Sequence, residues 1–420
     1  MSKVFHRPIR ISMPMGKVFV PFSDAIRVLV GGDVNFDAEP RSPGPVGVHR
    51  NRDEVDNAVT RLWNKVRLKF ARRWPAVFQF HQYTLIQLAS NELTIKYPVA
   101  KRETEHDRSA CDSANRKPDG SSALSRFDRP FHNLKPLFKK MDFVLINLET
   151  PLADNQARVV GMFCSDPRYA RALADAGISM VNLANNHIFD ALETGLLQTA
   201  ANLDQAGVLY TGYGMNLAEA RRGKSVTIKN IKFVFLGYTQ YCNAQFASIA
   251  AQYPGVLPLD RQLIVEDIRR ARKEADFVFV SVHWGIEDQP YVQKKSVELA
   301  HLFVDAGADA IIGHHPHVPH GIEVYKGKPI LYSLGNLVFG IGDEATSDNI
   351  ITEIVIEHGS VRGLLIYPVS GRGREVCCPE ILNGTRAIEV LNDMRRKSAV
   401  FGTGIAIQGD AGYVDIQADR

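Results

Sequence analysis

Apolar and polar positions along the chain fall into two alternating kinds of segment. Short β-branched or aromatic runs read as strands at residues 26–30, 143–146, 178–183, 233–236, 277–282 and 310–312. Between them, apolar residues spaced three and four apart predict helices at 133–140, 167–176, 191–206, 261–274 and 292–306. Two runs at 351–356 and 363–369 read as strands facing each other, and a last helix is expected at 385–397. Such β-then-α alternation predicts an α/β fold with a largely parallel central sheet. Residues 38–130 interrupt the rhythm. Val55, Val59, Leu62, Trp63, Val66 and Phe70 give 53–80 a helical spacing, and the polar tract after Tyr97 reads as loop or disorder. The expected organisation is a catalytic domain formed by 1–37 and 131–370, with a partly helical, partly disordered insert at 38–130. A C-terminal extension, 371–420, packs on that domain.

Composition narrows the class without choosing a function. A hydrophobic content of 45% supports a sizeable core, and a net charge of +4 with 23% charged residues is too mild to announce a nucleic-acid binder. The insert carries the excess of basic residues, which reads as a solvated helical face or a contact for an anionic partner. Five cysteines, Cys111, Cys164, Cys242, Cys377 and Cys378, are odd in number and scattered. They imply neither a disulfide framework nor a thiolate metal site. No apolar run reaches the length of a membrane span, and the first residues lack the apolar core of a signal peptide. The expected location is cytoplasmic.

The chemistry concentrates at strand ends. The apolar run Ala310-Ile311-Ile312 leads through Gly313 into His314, His315, Pro316 and His317, with His320 close behind. Neutral imidazole is a common transition-metal ligand. His315 and His317 are the favoured pair, because alternation in an extended segment points both rings to one side. Asp33, Glu149, Asn186-His187 and His283 also lie just past predicted strand ends, which converge on one edge of an open α/β sheet. Taken singly, Glu149 could cap a helix, Asn186 could form an Asx-turn and His283 could be a satisfied core histidine. Together they are the carboxylates, imidazoles and amide expected of a dinuclear site.

In order, the chain carries VGGD (30–33), NLETPL (147–152), NLANNHIFD (182–190), VHWGIE (282–287), GHHPHVPHGIE (313–323) and YSLGNLVF (332–339). This set resembles the poly-γ-glutamate capsule biosynthesis (CapA-type) family, which is similar to calcineurin-like metallophosphoesterases. The resemblance implies a four-layer α/β/β/α sandwich and two divalent metal ions, manganese, iron or zinc. Carried over, Asp33 and His317 would hold one ion and Asn186, His283 and His315 the other, with Glu149 bridging. His187 would protonate the leaving group, oriented by Asp190. The phosphoesterases usually have histidine two residues after the first aspartate; here that position is Asn35, a weaker ligand. The implied activity is metal-dependent hydrolysis of a phosphate ester or γ-glutamyl-type amide, on an anionic small-molecule or polymer substrate. The alternative is a non-catalytic assembly protein using the same cleft, with a membrane-associated biosynthetic partner to supply an anchor.

Overall fold

The computed structural model describes residues 25–36, 85–89, 92–96, 124–154, 163–242, 253–340 and 347–416. The helix expected at 53–80 lies outside them. The first strands are β1 (Ile26–Asn35) and a hairpin, β2 (Leu85–Ala89) with β3 (Glu92–Lys96), which the apolar pattern of the insert had not suggested. Then follow α1 (Lys135–Phe138), β4 (Phe143–Leu148), α2 (Tyr169–Ala176), β5 (Met180–Asn182), α3 (Leu192–Ala206), β6 (Leu209–Thr211) and β7 (Tyr213–Gly214). The middle of the chain forms α4 (Leu217–Arg222), β8 (Lys224–Ile228), β9 (Ile231–Thr239), β10 (Gly255–Val256), α5 (Arg261–Arg272), β11 (Phe277–His283), α6 (Lys294–Ala306) and β12 (Ala310–His314). The last part comprises β13 (Ile322–Tyr325), β14 (Lys328–Leu331), β15 (Asn336–Phe339), β16 (Asn349–Glu357), β17 (Ser360–Val369), α7 (Gly384–Ala399), β18 (Ala406–Gln408) and β19 (Ala411–Asp415).

Two mixed sheets, rather than one parallel sheet, carry these strands. The first runs β18-β19-β17-β16-β1-β4-β5-β6, with β15 also beside β1; the second runs β13-β14-β12-β11-β9-β8. Each has a parallel centre: β1, β4, β5 and β6 in one, β9, β11, β12 and β14 in the other. Antiparallel strands are added outside these, β16 and β17 on one sheet and β8 and β13 on the other.

Alternation along the strands produces the layers. On β4, Phe143 and Leu145 enter the same buried cluster as Phe277 and Phe279 of β11 and Ile312 of β12, so this face meets the other sheet. The intervening Val144, Ile146 and Leu148 pack with Leu173, Leu196 and Leu203 of α2 and α3 on the far side. Val278, Val280 and Val282 of β11 likewise pack outward on Ile264 and Ile268 of α5 and Phe303 of α6. The result is the four-layer α/β/β/α sandwich. Local sequence supports the helices that cover it: Asn216 caps α4 by accepting from the Glu219 amide, and Asp260 caps α5 by accepting from Leu263. In the tail, β19 pairs with β17, and Leu391 and Met394 of α7 reach the cluster between the sheets. No helix among the described residues is long and apolar enough to cross a membrane.

Candidate metal centre

Between the sheets, each central strand keeps its alternation but changes chemistry at its C-terminal end. Phe143 and Leu145 are followed on the same face by Asn147; Met180 by Asn182; Phe277 and Phe279 by Ser281 and His283; Ala310 and Ile312 by His314. On β1, Val28 and Val30 precede Asp33 across a shift in register. The apolar interior therefore ends in a buried polar layer drawn from five strands. Asp33, Asn147, Glu149, Asn182 and His283 are all 0% exposed.

Gly32 permits the approach that places Asp33. A Cβ there would stand 1.9 Å from the Gly335 carbonyl oxygen, which accepts the Asp33 amide at 3.1 Å. β1 thus continues through Gly31-Gly32 to Asn35, and Asp33 sits inside the strand rather than past its end. The histidine tract also departs from the extended conformation expected of it. His315 and His317 have φ of 97° and 58°, in the left-handed region that costs a non-glycine residue about 1–2 kcal/mol. Their rings still converge, with centroids 6.1 Å apart, through a turn and not through strand alternation.

Glu149 lies at the middle of the group. Its carboxylate, His315 and His317 bring three ligand atoms within 4.8 Å of one another, and Glu149 with Asp33 and His283 forms a second such trio. Separations between these ligand atoms are 3.4 Å (His283 Nε2 to Glu149 Oε1) and 3.9 Å (His317 Nε2 to Glu149 Oε1). Two donors on one ion at about 2.0–2.2 Å from it stand up to about 4.2 Å apart, so these distances suit shared ions. Neither oxygen of Glu149 has a hydrogen-bond partner among the described residues, nor does Nδ1 of His315. Buried polar atoms are normally paired, and donors left in this state fit divalent metal. His317 donates from Nδ1 to Asn336 Oδ1 at 2.8 Å, which leaves Nε2 as its ligand atom. Asn186 Oδ1 lies 2.8 Å from His283 Nε2.

Electrostatics agree with that donor set. Burial, then Asp33, Glu287 and Asp190, raises the Glu149 pKa well above the usual carboxylate range. Burial, and then neighbouring imidazoles (His315 and His314 first for His283, His317 and His187 for His315), holds both well below the usual imidazole value. His187 directs Nδ1 to Asp190 Oδ2 at 2.6 Å, and the Phe163 amide donates to the same oxygen at 2.9 Å. The Phe163 ring lies 4.3 Å from that of His187 and the Phe339 ring 4.9 Å from that of His317, walling one side. On the other, Tyr241 packs 4.9 Å from His315.

Three further residues belong to the site. Asn147 donates to Asp33 Oδ1 at 2.9 Å and lies 3.3 Å from His283 Nδ1. Its position at the end of an alternating run, two before Glu149, was the available signal. Glu287, 54% exposed, sets a carboxylate oxygen 4.0 Å from His315 Nδ1, too far for a hydrogen bond. His314 is buried with neither nitrogen hydrogen-bonded among the described residues, its Nδ1 3.5 Å from Asp33 Oδ1. Burial lowers its pKa to about 4. His320 is directed elsewhere, to the Gln289 carbonyl at 2.7 Å.

Residues 96–341 match the family described as bacterial capsule synthesis protein PGA_cap. The PGA biosynthesis protein CapA of Bacillus subtilis is 32% identical over 251 residues, covering 58% of this chain and 65% of that protein. A probable polyglutamine synthesis accessory protein of Mycobacterium tuberculosis is 33% identical over 213 residues, covering 47% and 55%. The matched part of the chain thus spans less than two thirds of either relative. Among solved structures, the NAD nucleotidase of Haemophilus influenzae is similar at 14% identity and a TM-score of 0.36, covering 64% of this chain and 50% of that one.

Proposed function

The chain belongs to the bacterial capsule synthesis protein family PGA_cap, and from that premise we propose that its polar layer is a metal centre serving a hydrolase. The observation that carries this reading is Glu149, fully buried, common to both ligand trios, with two oxygens that no group among the described residues satisfies. Asp33 and His317 would hold one ion, Asn186, His283 and His315 the other, and Glu149 would bridge. Divalent manganese, iron or zinc held there would act as a Lewis acid toward a phosphoryl or acyl oxygen. The chain's own part is to orient the ligands, exclude water from one side with Phe163 and Phe339, and deliver a proton. His187, held by Asp190, is the group placed to protonate a departing oxygen or nitrogen. The substrate class is a phosphate ester or a γ-glutamyl-type amide, the latter in keeping with the names of the relatives.

Asn35 favours a second reading. A neutral amide holds a transition metal less well than imidazole, and a weakly loaded cleft suits an accessory protein that binds an anionic polymer or a membrane-associated synthase. Elemental analysis of the purified protein beside a His315→Ala/His317→Ala variant tests the centre. About two equivalents in the native protein, lost in the variant, support it; none after reconstitution sinks it. With metal established, phosphomonoester, phosphodiester and γ-glutamyl substrates are assayed with His187→Ala. Turnover lost at unchanged metal content supports the hydrolase, and turnover absent from every protein leaves the accessory role.

A further inference from the structure

A chain of side-chain amides runs beneath the metal centre, and backbone groups fix the orientation of two of them, Asn182 and Asn185. Asn182 Oδ1 accepts from the Ala184 amide at 3.2 Å, and its Nδ2 donates to the Ala184 carbonyl at 3.1 Å. A backbone N–H can only donate and a carbonyl can only accept, so the Asn182 amide has one orientation. Its Nδ2 also donates to Asn147 Oδ1 at 3.0 Å. Asn185 is fixed in the same way: Oδ1 accepts from the His187 amide at 3.1 Å, and Nδ2 donates to the Leu148 carbonyl at 2.7 Å. That Nδ2 also lies 3.5 Å from Asn147 Oδ1. Two amide donors thus meet the oxygen of Asn147, and its nitrogen faces the other way.

The nitrogen has two hydrogens and two partners. One is Asp33 Oδ1 at 2.9 Å, the other His283 Nδ1 at 3.3 Å. An amide N–H requires an acceptor, so His283 Nδ1 must present its lone pair. A neutral imidazole with a bare Nδ1 carries its proton on Nε2, and Nε2 meets an acceptor, Asn186 Oδ1, at 2.8 Å. We propose that Asn147 is a positioning residue: read through Asn182 and Asn185 from the backbone, it holds His283 in the Nε2–H form and ties it to Asp33 of the opposite sheet.

This tautomer is not the one that would coordinate through Nε2. Loading an ion at His283 and Asn186 requires the ring proton to transfer to Nδ1, which breaks the contact with Asn147 and leaves its N–H facing an N–H. Asn147 therefore opposes filling of the position that Asp33 does not share. That consequence rests on the reading of the site as a metal centre; the tautomer itself does not. A carboxylate in place of the amide would accept from Nδ1–H, the arrangement that orients many metal-bound histidines and whose loss typically costs 10–100-fold in affinity.

The test uses full-length, metal-free protein labelled with 15N-histidine, with His283 assigned by the signal lost in His283→Gln. The native protein should show His283 with a bare Nδ1 and a protonated Nε2. Asn147→Asp should reverse the pattern, and Asn147→Ala, which removes both the donor and the oxygen that Asn182 and Asn185 meet, should give a mixture of both. Cobalt(II) titration followed by visible absorption should then show Asn147→Asp binding at least about tenfold more tightly than native protein. A protonated Nδ1 in the native protein, or one tautomer in all three, overturns the proposal. So does a reversed tautomer with unchanged or weaker cobalt binding. If the tautomers change as stated but no protein takes up cobalt, Asn147 does set the tautomer and it is the metal reading that fails. Should Asn147→Asp not fold, Asn147→Ala decides the tautomer alone.

Discussion

Replacing Glu149 by methionine, which keeps its length and volume, should make the metal-free protein more stable and the metal-loaded protein less so. The side chain is fully buried, neither oxygen is hydrogen-bonded among the described residues, and burial, then its carboxylate neighbours, raises its pKa. A buried polar group left unsatisfied costs about 1–3 kcal/mol, which an apolar side chain of like volume removes. Unfolding entropy of roughly 2.1 cal/mol/K per residue gives about 0.9 kcal/mol/K for a chain of 420 residues, so Tm in EDTA should rise by about 1–3 °C. Metal acts in the opposite direction. An ion present at about 100 times its Kd stabilises the native protein by about 2.7 kcal/mol per site, or about 3 °C, and a bridging ligand serves both sites. Differential scanning calorimetry in EDTA and across a manganese or zinc titration would show the two curves crossing. A variant less stable than native in EDTA, or one that gains the same Tm from metal, would refute the assignment of Glu149.

Acid should destabilise the metal-free protein early. Burial lowers the folded-state pKa of His283, His314, His315 and His320, with His314 and His320 near 4, so the unfolded chain binds these protons first. Stability is full above about pH 6.5 and is lost as pH falls toward 4, by about 3 kcal/mol for His314 alone; a urea midpoint that stays flat between pH 7.5 and 5 contradicts this. Gly32→Ala should lower Tm and weaken metal binding together, because its Cβ would overlap the Gly335 carbonyl. A cost of about 1–3 kcal/mol is expected by thermal melting, and unchanged values would show that the two segments can separate freely. Asp190→Asn should reduce turnover by about 10²–10⁴-fold on any substrate found while leaving bound metal unchanged; parallel loss of metal would make Asp190 a structural residue instead.

The central strands were legible because their apolar runs are short and continuous. Phe-Val-Leu-Ile-Asn and Phe-Val-Phe-Val-Ser-Val-His, at 143–147 and 277–283, show in the sequence both the strand and the residue at which it turns polar. Helices with apolar stripes fell within a few residues of their final bounds. The division into two sheets was less visible, since parallel central strands buried on both sides look alike whichever sheet holds them. Asp33 was displaced from its expected place by the register shift at Gly31-Gly32, a feature of pairing with Asn147 and Asn336 that the local sequence does not specify. Positive φ at His315 and His317 runs against residue preference and is imposed by the surrounding structure. Asn147 is marked in the sequence only by closing an apolar run two residues before Glu149, and its contacts emerge once Asn182 and Asn185 are placed beside it.

The position of β1 has a consequence for how the protein is made. It leaves the ribosome before every strand it pairs with: β4 follows more than a hundred residues later, and β15 and β16 some three hundred residues later. Pairings of such sequence separation form slowly, and an unpaired central strand is prone to aggregate until they do. Asp33 therefore cannot meet Asn336 or His317 until nearly the whole domain has been synthesised. On the proposed metal reading, affinity in a nascent chain should appear abruptly and late, and ion capture would then mark folding of the domain.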